Sequence, residues 1–132
     1  MTPQAVLVDT NVVSYLFGNK PQSEPYRLAV EGRRTIISFQ TYAELMVWSD
    51  NWSKTRQAKL NRFITNRFGF LPHNETVTKD WVKAVISARK NGYPIATADA
   101  WIAATALSAG LLLLTADKNN FLGVDGLKLL AI

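Results

Sequence analysis

The chain has 132 residues, room for a single domain over residues 1–132 with one core. Its 48% hydrophobic and 19% charged residues exclude a disordered or fibrous protein. With no cysteine and one histidine, His73, the chain has no disulfides, thiol nucleophile, cysteine-ligated zinc, iron–sulfur cluster, multi-histidine metal site or paired-histidine ribonuclease chemistry. The net charge of +5 favours a polyanion or an acidic protein as partner.

The apolar run Ala5 to Asp9 reads as a buried strand. Helices are predicted over 11–17 and 23–31, parted by the breaker Gly18-Asn19-Lys20-Pro21. A strand at Thr35–Ser38 precedes a helix from Gln40 to Asp50, and Ser53 caps a basic helix reaching Arg67. A weak strand at Phe70-Leu71 is followed by a helix from Thr78 to Asn91, closed by Gly92. An Ala-rich helix starts at Thr97 or Asp99 and ends at Gly110; strands are expected at Leu111–Thr115 and Leu127–Ala131. This alternation predicts an α/β domain with a mainly parallel sheet, whose site lies outside the carboxyl ends of the strands. Met1 to Gln4 has no basic stretch and Asp9 interrupts the apolar run after it, so no signal peptide is read there. The uncharged stretch Ala100–Thr115 is shorter than the ~20 residues of a spanning helix and is divided by Gly110. A soluble, cytoplasmic protein without a membrane segment is the expectation.

The placement of the acids carries the most information. Asp9 is the sole charge between Met1 and Asn19, Glu44 between Thr35 and Ser49, and Asp99 between Asn91 and Ala116. Carboxylates in such apolar segments need a partner, and no lysine or arginine lies in the same segments. A divalent cation is the economical candidate. Asp9 and Asp117 each follow a predicted strand, so both emerge at carboxyl ends. Asp99 shares a helix face with Ile102, Ala103 and Ala106, which turns it towards the sheet. Glu44 shares its face with Val47 and Trp48 on a helix that is apolar almost all round. Taken singly, Asp9 also reads as a turn residue or helix cap, Asp99 as a cap, and Asp117 beside Lys118 as a surface turn.

The segments Val8-Asp9-Thr10-Asn11, Thr41-Tyr42-Ala43-Glu44-Leu45, Ala98-Asp99-Ala100-Trp101-Ile102-Ala103-Ala104 and Leu114-Thr115-Ala116-Asp117 resemble the PIN-domain ribonucleases, most of all their VapC-type toxins. The resemblance covers nearly the whole chain, and its strength lies in four motifs in register. It implies a three-layer α/β/α sandwich and an Mg²⁺- or Mn²⁺-dependent endoribonuclease, with Asp9, Glu44, Asp99 and Asp117 as the catalytic and metal-holding acids. It further implies that Thr10 and Asn11 support Asp9 and that the Thr115 hydroxyl orients the site beside Asp117. Cleavage would proceed by in-line attack of metal-activated water, leaving 5′-phosphate and 3′-hydroxyl ends. Oxygen-only ligands suit such hard cations. Many members carry an acid directly before the Phe after the last strand; this chain has Asn120-Phe121, which bears on a second metal. The family also implies a homodimer, an RNA substrate and a cognate antitoxin that blocks a groove near the site.

The 53–67 helix carries Lys54, Arg56, Lys59, Arg62 and Arg67, either as a solvated face or as an RNA-backbone contact. Of Trp48 and Trp52, the first is expected in the core and the second against a partner. His73 reads as a loop residue. The other functions in view are a PIN nuclease of RNA processing that is not a toxin, a non-catalytic binding module, and an aspartate-based phosphatase or phosphotransfer domain. Asn11 counts against the phosphatase, whose haloacid-dehalogenase type needs Asp-x-Asp.

Overall fold

The computed structural model describes residues 4–132, so the reading of the extreme N-terminus at Met1 to Pro3 lies outside the described residues. Strand β1 (Val6–Val8) is buried along its whole length, as expected of three consecutive apolar residues inside a parallel sheet. It pairs in parallel with β2 (Thr35–Ser38) on one side and β4 (Leu112–Leu114) on the other, while β3 (Gly69–Leu71) adds to β2. The order is β3-β2-β1-β4, all parallel. The chain therefore proceeds to one side from β1 through β2 to β3 and then crosses back to the other. The gap between the ends of β1 and β4 is the switch point where α/β sheets place their sites.

Alternation along the strands sorts the core into two layers. Val6, Val8, Ile37 and Leu114 face α1 (Thr10–Gly18), α3 (Phe39–Trp48) and α4 (Lys54–Arg67), meeting Val12, Val13, Leu45, Leu60 and Ile64. The short α2 (Glu24–Val30) covers the same side through Tyr26, Ala29 and Val30. Leu7, Ile36 and Leu113 face α5 (Glu75–Lys90) and α6 (Thr97–Ala109), meeting Ala84, Ala88, Ile102, Ala103 and Ala106. This is the three-layer α/β/α sandwich. Small side chains on α5 and α6 let these two helices approach each other and the sheet closely. Gly123 is needed for a similar reason: a Cβ there would stand 2.8 Å from the Ala88 Cα and the Tyr93 carbonyl oxygen.

Several boundaries differ from the sequence reading, each for a local reason. The helix expected from Thr78 begins at Glu75, because Asn74 caps it by accepting from the Val77 amide at 2.9 Å. Ser38 starts α3 one residue early by accepting from the Thr41 amide, and that helix ends at Trp48 rather than Asp50. The helix expected over 23–31 shortens to α2 and is preceded by a 3-10 turn at Pro21–Ser23. The strand expected at Leu127–Ala131 shrinks to a parallel bridge between Leu113 and Leu129, flanked by two backbone bonds to Leu113. Asn19, in the left-handed region at φ 50°, ends α1 where the breaker was read. No helix of the described residues is long and apolar enough to cross a membrane.

Candidate active site

Four elements deliver the acids to one pocket. Asp9 leaves the end of β1 and takes the N-cap position of α1, where its Oδ1 accepts from the Thr10 amide at 2.8 Å. Asp117 follows β4 after Thr115 and Ala116. Asp99 sits in the first turn of α6, and Glu44 lies midway along α3. All four carboxylates line a pocket of 290 Å³ together with Thr10, Asn11, Ser14, Leu45 and Trp48. The pocket sits at the switch point, and no lysine, arginine or histidine is in its wall. Among the described residues the only ion pairs are Arg27 with Glu24 and Lys79 with Glu75, so none of the four acids has a cationic partner.

Hydroxyls and amides fix three of these carboxylates instead, Asp9, Glu44 and Asp117. The Thr115 hydroxyl donates to Asp9 Oδ2 at 2.7 Å and accepts from the Asp117 amide at 3.0 Å. The Thr10 hydroxyl donates to Glu44 Oε1 at 2.6 Å and lies 3.1 Å from the buried Thr41 hydroxyl. Asn11 Nδ2 donates to Asp117 Oδ2 at 2.6 Å, while Asn11 Oδ1 is buried with no partner. The contacts correct the expected support pattern only in part, since Thr115 does sit on Asp117. Thr10 reaches Asp9 only through its backbone, and its side chain serves Glu44. Asn11 serves Asp117 rather than Asp9, and Thr115 binds Asp9 directly. The direction of each side chain at the start of α1 decides this, since Asn11 projects across the pocket towards the end of β4.

Burial dominates the electrostatics. Asp9 is 5% exposed, and that burial pushes its carboxyl up. The bonds from Thr115 and Thr10 pull it back, and the charges of Glu44 and Asp117 raise it further. Asp99 is pushed up to about 6, first by burial and then by Asp9, Glu44 and Asp117, with no hydrogen bond to offset them. Ala96, not Asp99 or Thr97, occupies the cap position of α6, and its cap has no side-chain bond. Asp99 therefore does not cap its helix. The partial positive charge at the α1 and α6 N-termini faces the pocket and favours carboxylates there. Among the described residues no three acidic or imidazole groups stand close enough to form a ready-made metal cage.

Two further expectations change. Val47 is 79% and Trp48 41% exposed, so the face of α3 that carries Glu44 is an apolar surface rather than core. Trp52, not Trp48, is covered: it packs on the β1 side of the core under the Arg56 guanidinium, 3.9 Å from the ring centroid. His73 lies in the β3–α5 loop, its Nε2 2.6 Å from the Thr78 hydroxyl. Asn120 is exposed and Phe121 buried. Sequence reasoning does not place Thr41, Ser14 or Trp48 at the site, although it expects Trp48 in the core and has Thr41 in the segment of Glu44. Their signal was helical spacing from residues already singled out: Ser14 is four positions after Thr10, and Thr41 and Trp48 are three before and four after Glu44.

A parallel α/β domain with an all-oxygen acidic pocket at its strand switch is a narrow class. The family described as PIN domain matches residues 6–127. The chain belongs to that family, and its relatives are of the VapC type. It is 32% identical over 127 residues to Ribonuclease VapC1 of Haemophilus influenzae strain R2866, covering 92% of this chain and 93% of that protein. The structure of VapBC-1 from nontypeable Haemophilus influenzae matches with a TM-score of 0.75 at 29% identity, covering 95% of this chain and 96% of that one. VapBC-5 from Mycobacterium tuberculosis, a member of the VapBC family of toxin–antitoxin systems, matches with a TM-score of 0.72 at 25% identity, covering 98% and 100%.

Proposed function

We propose that this chain is a metal-dependent endoribonuclease and the toxin of a toxin–antitoxin pair, acting in the cytoplasm. The observation that carries the reading is the gathering of four carboxylates, without any cation, around one pocket at the strand switch. Such a pocket is unfavourable unless a positive charge enters it. The donor set fits Mg²⁺ or Mn²⁺: it is all oxygen, and Asn11 Oδ1 is a buried acceptor still lacking a donor or ion. The lack of a tight cage agrees with an ion that keeps several waters and needs only one or two direct carboxylates at a time.

Asp9, Asp99, Asp117 and Glu44 would hold the ion. When bound, it supplies Lewis-acid chemistry, neutralising phosphodiester charge and making water acidic enough to attack near neutral pH. Thr115 keeps Asp9 oriented, Asn11 keeps Asp117, and Thr10 keeps Glu44, so these three carboxylates are set before substrate arrives. Asp99, at about 6, gives up its proton close to neutrality, and an incoming cation would favour its charged form. The phosphatase alternative is disfavoured because Asn11 stands two positions after Asp9, where Asp-x-Asp chemistry needs a second acid, and its amide is engaged in donating to Asp117.

The partners in this reading are RNA, a cognate antitoxin and a second copy of the chain. Exposed Tyr42 and Phe70, with ring centroids 5.8 Å apart, form the kind of apolar surface that protein partners cover. The test is a gel assay of purified protein with RNA, with Mn²⁺ and with EDTA. Cleavage that EDTA abolishes is expected, and RNA left intact in Mn²⁺ would sink the nuclease. Expression without a partner should arrest bacterial growth, and Asp9→Asn should relieve the arrest. Equal growth with both would leave an RNA-processing PIN nuclease in place of a toxin.

A further inference from the structure

An acidic pocket repels the polyanion it is proposed to cut, so the affinity for RNA has to come from cationic and stacking groups beside it. One hollow of 240 Å³ shares two wall residues, Ser14 and Trp48, with the acidic pocket and continues from it. Its far wall carries Lys20 and Arg56, both exposed and neither in an ion pair among the described residues. Trp48 stands between the two hollows and is 41% exposed. It is held edge-on against Phe17, with centroids 6.3 Å apart, and against Trp52 at 4.6 Å. Arg56 is itself held over Trp52, its Cζ 3.9 Å from the ring centroid. A packed indole beside two cations that pair with no acid among the described residues, next to the acidic pocket, has the composition of a site for single-stranded nucleic acid.

We propose that the Ser14–Trp48–Lys20–Arg56 hollow binds the nucleotide flanking the scissile phosphodiester, with its base on Trp48 and its phosphate between Lys20 and Arg56. The identity of the polymer rests on the ribonuclease reading; the hollow's place beside the acids and its charge do not. Trp48 and the two cations are thus positioning residues, which align the strand and touch none of the reacting atoms. A protein partner seated in the same hollow would need acidic groups against Lys20 and Arg56, and is the competing outcome.

The test is binding rather than cleavage, with a fluorescein-labelled single-stranded oligoadenylate of about a dozen nucleotides. Ca²⁺ replaces Mg²⁺, since it does not impose tight octahedral geometry. Trp48→Ala should weaken binding about tenfold, and Trp48→Phe, which keeps an aromatic face, should restore most of it. Lys20→Ala should weaken binding and flatten the plot of log affinity against log salt by about 0.7. Lys90→Ala, the same charge change on α5 in the opposite layer, should leave both unchanged. Wild-type affinity in Trp48→Ala and Lys20→Ala would overturn the proposal and leave the hollow to a protein partner. Cleavage with unaltered binding in these variants defeats the hollow alone. Loss of binding in them, with no cleavage by the wild type, defeats the nuclease and keeps the hollow.

Discussion

The Thr115 hydroxyl bonds Asp9 across 2.7 Å and joins residues 106 positions apart, at the ends of the adjacent strands β4 and β1. It is also one of the two bonds that hold the Asp9 carboxyl down against burial. Thr115→Val should therefore lower RNA cleavage about 10- to 100-fold, the usual cost of removing a group that orients a ligand. Because the Asp9 carboxyl then rises further, the acid limb of the rate–pH profile should move to higher pH. Thr115→Ser should return both. An unmoved profile in Thr115→Val would show that Asp9 does not govern the acid limb.

Asp9→Asn, Asp99→Asn and Asp117→Asn should each reduce cleavage at least ~10²-fold, because each replaces an ionic oxygen ligand by a neutral amide. Circular dichroism should show all three folded. Full activity in any one of them would remove that residue from the site.

The stability of the metal-free protein should fall as pH rises through the acid range. The Asp99 carboxyl is at about 6 in the folded protein against 3.8 in the unfolded chain. Below 3.8 it is protonated in both states and costs nothing. Between 3.8 and about 6 the unfolded chain releases its proton first, so the fold loses stability; above that the loss is complete. In EDTA at neutral pH, Asp99→Asn removes the cost of burying this charge beside the other acids and should melt a few degrees above the wild type, about 1 kcal/mol after allowing for solvent screening. A mutant melting well below the wild type in EDTA, with no Mn²⁺ shift in the wild type, would make Asp99 a structural residue.

Mn²⁺ should raise the wild-type melting temperature, by a stability of roughly 2.7 kcal/mol at a hundredfold excess over Kd. Proton and cation compete for Asp99, so the affinity measured by calorimetry should tighten as pH rises from about 5 to about 7 and then level off. A pH-independent affinity would place the ion away from Asp99.

Gly123→Ala separates folding from chemistry. The new methyl meets backbone atoms of Ala88 and Tyr93 at 2.8 Å, and backbone cannot turn aside as a flexible side chain does. The variant should lose about 1–3 kcal/mol of stability in a denaturant titration while cleaving normally below its melting temperature. Unchanged stability would mean that the 121–126 loop shifts freely against α5.

The alternation of strands and helices and three of the acids, Asp9, Glu44 and Asp99, are legible in the residues alone, while Asp117, beside Lys118, is marked only by its place after a strand. Apolar runs such as Val6–Val8 and Leu112–Leu114 are local, and a lone carboxylate in an uncharged segment is conspicuous without any structure. Sequence reasoning starts α5 at Thr78, three residues late, because it does not recognise Asn74 as the cap directly before Glu75. What the tertiary structure alone decided is which group serves which acid and which face is covered. Asn11 bonds Asp117 rather than its neighbour Asp9, and Thr10 bonds Glu44 on α3. Both depend on β1 lying between β2 and β4, which brings the starts of α1 and α6, the end of β4 and the middle of α3 to one pocket. Trp48 and Trp52 are four residues apart with the same chemistry, yet α1 and Arg56 cover the second and leave the first beside the acids. Periodicity tells which side chains share a face of one helix; the order of the strands decides what that face meets.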